Sequence, residues 1–168
     1  KLRERAQQLG NIVSPDDAAL ALRGLRTLGV RLKQGTETAL KIAQFLSQRP
    51  EVAQVLCPML PGAPGHDLWL RDFTGGSGLM SVVFKDVTMA RRNRFVDALK
   101  LFGIGYSWGG FESLCIPIAP AGYRSIMPWP PAAENPADVF GVRFSIGLED
   151  AGDLIADISQ ALEAMGQG

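Results

Sequence analysis

The spacing of apolar residues changes from helical to strand-like near residue 50, and this change constrains the fold most. Before it, apolar residues recur at steps of three and four residues, as on one helix face; they are Leu22, Leu25, Leu28, Leu32, Ala39, Ala43 and Leu46. After it, β-rich runs at 52–57, 78–85, 103–107, 113–118 and around Arg143 are interleaved with helical stretches at 66–73, 88–102 and from Asp150 onward. This order predicts an α/β fold of α+β character, with a mostly antiparallel sheet of about four strands covered by helices on one face and preceded by a long helix.

Local signals indicate where the long helix begins, weakens and ends. Ser14 and Pro15 are typical of an N-cap and a first helical position. Pro50 is expected to stop the helix. Three glycines inside the helical stretch lower its helix propensity by about 1 kcal/mol each, so a kink or a close packing contact is expected there. They are Gly24, Gly29 and Gly35.

Charge and composition exclude several classes of function. The 168 residues include 17 Lys and Arg against 17 Asp and Glu, so neither a nucleic-acid surface nor a membrane surface is expected. The basic cluster at 91–94 has no aromatic residues among its arginines and is interpreted as a solvated helix face. No metal site is expected, because His66 is the only histidine. No apolar run is long enough to span a bilayer.

The cysteines and the first residues favour a cytoplasmic protein. Cys57 and Cys115 lie far apart and form no Cys-x-x-Cys pattern. They are predicted to be reduced, buried thiols. The charged start from Lys1 to Arg5 does not have the pattern of a signal peptide.

A single arginine stands in the apolar run from Val142 to Ile146, after a proline-rich loop at 120–136. In a strand, Val142, Phe144 and Ile146 point to one face, and Arg143 and Ser145 to the other. The planar guanidinium of Arg143 suits two-point capture of a carboxylate or phosphate. The run therefore predicts an anion site, with a surface arginine at a sheet edge as the alternative interpretation.

A second stretch, Tyr106-Ser107-Trp108-Gly109-Gly110, has a serine beside a large aromatic residue and before two glycines. Glycine pairs allow backbone N–H groups to turn toward a bound anion. Ser107 and Trp108 are therefore candidates for the same small-molecule carboxylate site. The alternatives are a turn serine and a core tryptophan, and Tyr106 is either a wall of the site or a packing residue.

Five motifs in a fixed order resemble the pyridoxal-phosphate (PLP) enzymes of cysteine and methionine metabolism, which have fold type I. The motifs cover essentially the whole chain and lie at 21–31, 61–66, 71–79 and 106–114, followed by 143–150. The Tyr106-Ser107-Trp108 form resembles the cystathionine β-lyase branch, whereas γ-synthase and γ-lyase relatives tend to carry Ser-Leu-Gly-Gly there.

The resemblance implies a role for each candidate residue. Arg143 matches the arginine that binds the substrate α-carboxylate, and Ser107, Trp108 and Tyr106 match residues that line that end of the pocket. The implied reaction is PLP-dependent cleavage of cystathionine to homocysteine, pyruvate and ammonia, in methionine biosynthesis. We expect Glu112 and Ser113 to brace the local structure rather than to touch substrate.

The resemblance also implies what this chain does not carry. Family members are about twice as long, and their first half holds the cofactor, with its lysine in a Ser-x-x-Lys setting. No lysine here has that context. We therefore expect residues 1–50 to be linking helices and 51–168 to be a C-terminal domain, without the PLP-binding domain. No catalytic residue and no bound cofactor are expected in this chain, which alone should be inactive.

The implied partners are a small amino-acid substrate, the N-terminal PLP domain and sister subunits of a homotetramer. Two other functions remain open at this point. One is a related activity, namely a cystathionine γ-lyase, a γ-synthase or a sulfhydrylase. The other is a non-catalytic module that binds amino acids or mediates assembly.

Overall fold

The computed structural model describes residues 1–119 and 139–166, so the proline-rich loop expected at 120–136 lies outside the described residues. The helices are α1 Leu2–Gln8, α2 Pro15–Arg26, α3 Leu28–Ser47, α4 His66–Asp72, α5 Met89–Ala98 and α6 Ala151–Gly166. The strands are β1 Val52–Leu56, β2 Leu79–Phe84, β3 Gly103–Ile104, β4 Leu114–Ile118 and β5 Gly141–Ser145. The chain divides into two compact units, Lys1–Arg31 and Leu32–Gly168.

In the first unit, the predicted long helix is interrupted. Helix α2 begins as expected, because the Ser14 hydroxyl accepts the N–H of Asp17 at 3.0 Å. It ends at Arg26, and α3 begins only at Leu28. The side chain of Arg31 donates from Nη2 to the Gly24 carbonyl at 2.8 Å and so satisfies an oxygen at the end of α2. The expected long helix with a kink near its glycines is therefore two helices, with a break at Thr27 between Gly24 and Gly29.

The second unit holds a five-stranded sheet in the order β1-β2-β5-β4-β3. Three of its pairings are antiparallel, but β3 runs parallel to β4. The sheet is therefore mixed, which corrects the expectation of a mostly antiparallel sheet of about four strands. Strand β3 lies within the β-rich run expected at 103–107, but it has only two residues, Gly103 and Ile104, and lies at the sheet edge beyond β4.

The core lies on one face of this sheet, as the alternation of strand residues predicted. Cross-strand pairs Met80–Phe144, Val82–Val142 and Cys115–Phe144 all point to this face. They join one buried cluster with apolar residues of three helices. The helix residues include Ile42 and Leu46 of α3, Phe95 of α5, and Leu154 and Ile158 of α6. Because this face of β5 is buried, Arg143 and Ser145 lie on the opposite face of the strand.

One of the three glycines in the helical stretch makes the expected close contact. A Cβ atom at Gly35 would lie 3.4 Å from the carbonyl oxygen of Ile146, directly after β5. This proximity allows α3 to pack against the end of the strand that carries Arg143. At Gly29, by contrast, a Cβ atom would meet nothing within 4 Å.

The interpretation of the 91–94 cluster as a solvated helix face is wrong for Arg92, which is only 7% exposed. Its Nη1 donates to the Ile118 carbonyl at 3.1 Å, and its guanidinium lies 5.5 Å from the centre of the Phe140 ring. Burial lowers the pKa of Arg92 from its usual value. Arg91 also has a structural contact, since its Nε donates to the Met165 carbonyl at 3.1 Å.

Both cysteines are free, as predicted, and both are buried. Burial raises the pKa of the Cys115 thiol to about 12, although the charges of Arg143 and Arg92 act in the opposite direction. Burial likewise raises the pKa of Cys57. Neither thiol is therefore suited to act as a nucleophile. Within residues 1–119 and 139–166, no helix is both long and apolar enough to cross a membrane, and no group of three or more His, Cys, Asp or Glu residues could hold a metal ion.

Asp157 is a buried carboxylate that joins α6 to the end of α5. Its two oxygens accept the N–H groups of Lys100 and Leu101 at 2.8–3.0 Å, and Oδ1 also accepts the Gln160 amide at 2.9 Å. The side chain is 6% exposed, so these donors have little access to water. The carboxylate therefore stabilises the turn after α5 by accepting two backbone N–H groups that lie beyond the end of the helix.

We expect Asp157→Asn to lower the free energy of unfolding by about 2 kcal/mol, because an amide retains only one of the two acceptor oxygens. Urea denaturation of the chain measures this change. Glu163→Gln, on an exposed position of the same helix, is the matched control and should alter stability by less than about 0.5 kcal/mol. An effect of Asp157→Asn no larger than that of the control would contradict the structural role of this carboxylate.

Candidate functional site

Arg143 lies at the centre of the sheet and points away from the helices. It is the middle residue of β5, where it pairs with Ser81 of β2 on one side and Ile116 of β4 on the other. Its neighbours in sequence, Val142 and Phe144, are fully buried on the helix-covered face. The orientation expected from strand alternation is therefore observed, and the alternative of an arginine at a sheet edge is not.

The guanidinium of Arg143 reaches across β4 to the segment that follows β3. Its Nη2 donates to the carbonyl of Tyr106 at 2.7 Å and to that of Ser107 at 3.2 Å. Its Nε is buried and has no hydrogen-bond partner within the described part of the chain. These two contacts fix one nitrogen of the group, so the side chain is partly ordered before any ligand arrives.

The structure places Tyr106, Ser107 and Trp108 beside Arg143 through their backbone rather than their side chains. The Tyr106 side chain is 82% exposed and the Trp108 side chain 63% exposed, which excludes the interpretation of Trp108 as a core residue in this chain. The Ser107 hydroxyl has no hydrogen bond to residues 1–119 or 139–166, and Ser107 too is exposed. The site therefore presents two uncovered aromatic rings and a hydroxyl next to a positive charge.

The turn at Gly109 is held from the same strand. Gly109 has a φ of 76°, a backbone conformation that residues with a Cβ rarely adopt. Its N–H donates to the Ser145 hydroxyl at 3.2 Å. Ser145 lies two residues after Arg143 and on the same face of β5, so alternate residues of one strand hold both ends of the turn.

Sequence reasoning missed the role of Glu149. Its Oε1 accepts the N–H of Ser113 and its Oε2 accepts the Ser113 hydroxyl, both at 2.7 Å. The Ser113 hydroxyl in turn accepts the N–H of Gly147 at 2.9 Å, and Leu148 donates its N–H to the Phe111 carbonyl at 2.8 Å. These bonds confirm the expectation that Ser113 is a brace. The only sequence signal for Glu149 was its place in the motif at 143–150.

A separate cleft of about 490 Å³ lies between α4 and the start of β2. It is lined mainly by apolar side chains, among them Met59, Leu68, Trp69 and Phe73. His66 stands beside it with a structural role, since its Nδ1 is 2.8 Å from the Pro58 carbonyl and its ring stacks on Trp69. The residues that line this cleft do not include Arg143 or the turn that it contacts.

The Arg143 arrangement is suited to holding an organic acid rather than to breaking bonds. The guanidinium supplies charge and directional donors, and the turn supplies apolar surface beside it. The position of the guanidinium is set by β5, a central and well-packed strand. The turn is held by hydrogen bonds to residues of that same strand. Such an arrangement binds and orients a carboxylate.

Comparison with known proteins gives one matching family model and many relatives. The model described as "Cys/Met metabolism PLP-dependent enzyme" matches residues 1–163. Cystathionine beta-lyase MetC of Escherichia coli K12 is 45% identical over 161 residues, which are 94% of this chain and 40% of that protein. Cystathionine gamma-lyase of Homo sapiens is 39% identical over 169 residues, or 98% of this chain and 40% of that protein.

Solved structures agree with these sequence relatives. A crystal structure of metB from Corynebacterium glutamicum superposes with a TM-score of 0.73 at 40% identity, covering 93% of this chain and 39% of that one. A Campylobacter jejuni structure described as an O-acetylhomoserine (thiol)-lyase, which holds a pyridoxyl-lysine phosphate, gives 0.76 at 33% identity over 94% of this chain and 35% of that one. The chain therefore spans about 40% of the length of the curated relatives that it matches.

Proposed function

Since this chain belongs to the family of PLP-dependent enzymes of cysteine and methionine metabolism, we propose that it forms the substrate-carboxylate side of a carbon–sulfur β-lyase. The enzyme would cleave cystathionine to homocysteine, pyruvate and ammonia. Five bacterial relatives named as cystathionine beta-lyases, between 42% and 47% identical, support the choice of this activity.

The observation that carries the proposal is the position of the Arg143 guanidinium. It stands on the face of the central strand opposite the helix-covered core, it is anchored by Nη2 to two carbonyls, and it lies next to exposed Ser107 and Trp108. The α-carboxylate of an amino acid would meet its remaining donors there. Tyr106 and Trp108 would then wall the same end of the pocket. This is positioning work, which aligns the substrate with groups held elsewhere.

The residues of this chain do not fit the cofactor itself. None of its five lysines, Lys1, Lys33, Lys41, Lys85 and Lys100, stands in a Ser-x-x-Lys setting, and all five are exposed to solvent. We therefore assign no catalytic or cofactor-binding residue to this chain. The lysine and the bond-breaking chemistry would belong to an N-terminal PLP domain.

We assign residues 1–50 to linking helices and 51–168 to the C-terminal domain of such an enzyme, although the second compact unit already begins at Leu32. The partners would be the PLP domain and sister subunits of a homotetramer. Exposed apolar side chains in the first unit, such as Leu20, Leu25 and Val30, support a contact there. Two free, buried thiols support a cytoplasmic location.

A chimera tests the proposed activity. The part of E. coli cystathionine beta-lyase that precedes its matched residues is joined to this chain, and the product of cystathionine cleavage is measured. Pyruvate release is the expected result. A chimera that folds and binds PLP but releases no keto acid would contradict the proposal.

The same assay distinguishes β-lyase from γ-lyase activity. The γ-lyase is the second candidate because this chain is 39% identical to a cystathionine gamma-lyase. Release of 2-oxobutanoate instead of pyruvate from the complete protein that contains this chain would assign it to that branch. A non-catalytic module would be indicated if the isolated chain bound free amino acids and the chimera stayed inactive.

A further inference from the structure

Ser145 occupies a position where a polar side chain is costly unless it is hydrogen-bonded. It is 2% exposed and lies in the central strand, between Leu79 of β2 and Leu114 of β4. Its hydroxyl accepts the N–H of Gly109 at 3.2 Å. The hydroxyl therefore links the rigid sheet to the turn, and a purely apolar residue would fill the site without making that link.

The link matters because the turn and Arg143 depend on each other. Nη2 of Arg143 is fixed by the carbonyls of Tyr106 and Ser107, so its position follows the position of those two peptides. These peptides lie only two or three residues before Gly109. If the N–H of Gly109 were released, the turn could rotate about its glycine pair, and the carbonyls that anchor the guanidinium would move with it.

We propose that Ser145 is a positioning residue for the carboxylate site. Its hydroxyl holds the turn at Gly109 and thereby sets the direction in which Arg143 presents its free donors. The inference rests on the proposed function of Arg143 for its effect on substrate, but the link itself is a property of this chain. Ser145 touches no substrate in this scheme and acts through Gly109 and Arg143.

The first test measures the link without any substrate. Amide hydrogen exchange at Gly109, followed by NMR on this chain, should be about 10-fold faster in Ser145→Ala, since one hydrogen bond of about 1–1.5 kcal/mol is lost. Ser159→Ala is the matched control, because the Ser159 hydroxyl donates to the Ile155 carbonyl of its own helix. Gly109 exchange that is unchanged in Ser145→Ala would overturn the inference.

The second test measures the consequence for substrate in the chimera. Ser145→Ala should raise KM for cystathionine at least 3-fold and change kcat less than 2-fold, because the carboxylate is held less well while the reacting groups are intact. Ser145→Thr keeps the hydroxyl and should keep KM within 2-fold of the parent. Equal KM values for the parent and Ser145→Ala, or equally raised values for Ser145→Ala and Ser145→Thr, would overturn the inference.

The two proposals fail in different ways. If Arg143 does not bind the carboxylate, Arg143→Lys leaves the kinetics of the chimera unchanged, whatever Gly109 exchange shows. If Arg143 binds it but Ser145 does not position the turn, Arg143→Lys impairs the chimera and Ser145→Ala behaves like Ser159→Ala.

Discussion

Arg143→Lys is expected to lower kcat/KM for cystathionine at least ~10-fold in the chimera, equivalent to ~1.4 kcal/mol of lost transition-state stabilisation. The guanidinium can bond the carbonyls of Tyr106 and Ser107 through Nη2 and still present other N–H groups to a carboxylate. An ammonium group is a point charge with no planar fork, so it cannot keep both sets of bonds in fixed directions. The loss of one charge-assisted hydrogen bond costs about 1.5–3 kcal/mol.

The matched control for this change is Arg71→Lys. Arg71 pairs with Asp72 at 2.7 Å on an exposed surface of α4, and its side-chain hydrogen bond lowers the pKa of that carboxyl. Exposed pairs contribute little to stability, so the control should keep the parental kinetics. If Arg143→Lys kept kcat/KM within 2-fold of the parent, Arg143 would not be the residue that binds the carboxylate. Inhibition by simple carboxylates such as acetate should weaken in parallel with kcat/KM.

Gly147→Ala is expected to lower the free energy of unfolding of the second unit by about 3 kcal/mol, at the upper end of over-packing effects. A Cβ atom at this position would overlap the carbonyl oxygen of Phe111 and lie 2.7 Å from Oε2 of Glu149. The first neighbour is backbone, and the second accepts the Ser113 hydroxyl. Neither can move without breaking bonds that hold the loop before β4.

Gly75→Ala supplies the comparison in the same unit, because a Cβ atom there meets nothing within 4 Å. It should change the unfolding free energy by less than about 0.5 kcal/mol in urea denaturation. If Gly147→Ala were as mild as Gly75→Ala, the close packing after β5 would not constrain the loop. In the chimera, Gly147→Ala should also raise KM, since the displaced loop leads directly to the Arg143 anchor.

The elements that sequence predicted well are those with strong local signals. Strand β5 and helix α6 follow from alternation around Arg143 and from helical spacing after Asp150. The break at Thr27 was expected only as a kink near Gly24 and Gly29, because low helix propensity marks a weak point without saying whether the helix ends there. The parallel pairing of β3 was missed because a two-residue strand carries no periodicity of its own.

In the candidate site, too, the features with local sequence signals were predicted, and those that depend on tertiary contacts were not. Alternation alone placed Arg143 on the face opposite Phe144, because that inference needs only the local geometry of a strand. The bonds from Ser145 to Gly109 and from Glu149 to Ser113 each join residues 36 positions apart, so they depend on which strands become neighbours. Arg92 was assigned to solvent because a run of arginines is usually exposed, whereas tertiary packing buries it.

Strand β5 is the last of the five to be synthesised, yet it lies between β2 and β4. Among the strands that the structure describes, a nascent chain that has not reached Gly141 can form two separate pairs, β1 with β2 and β3 with β4. Each pair then has an open edge of unsatisfied N–H and C=O groups, the kind of surface that promotes misassembly and aggregation. Translation products that end before Gly141 should therefore aggregate more readily, whereas β5 closes both edges and brings Arg143 to its anchor.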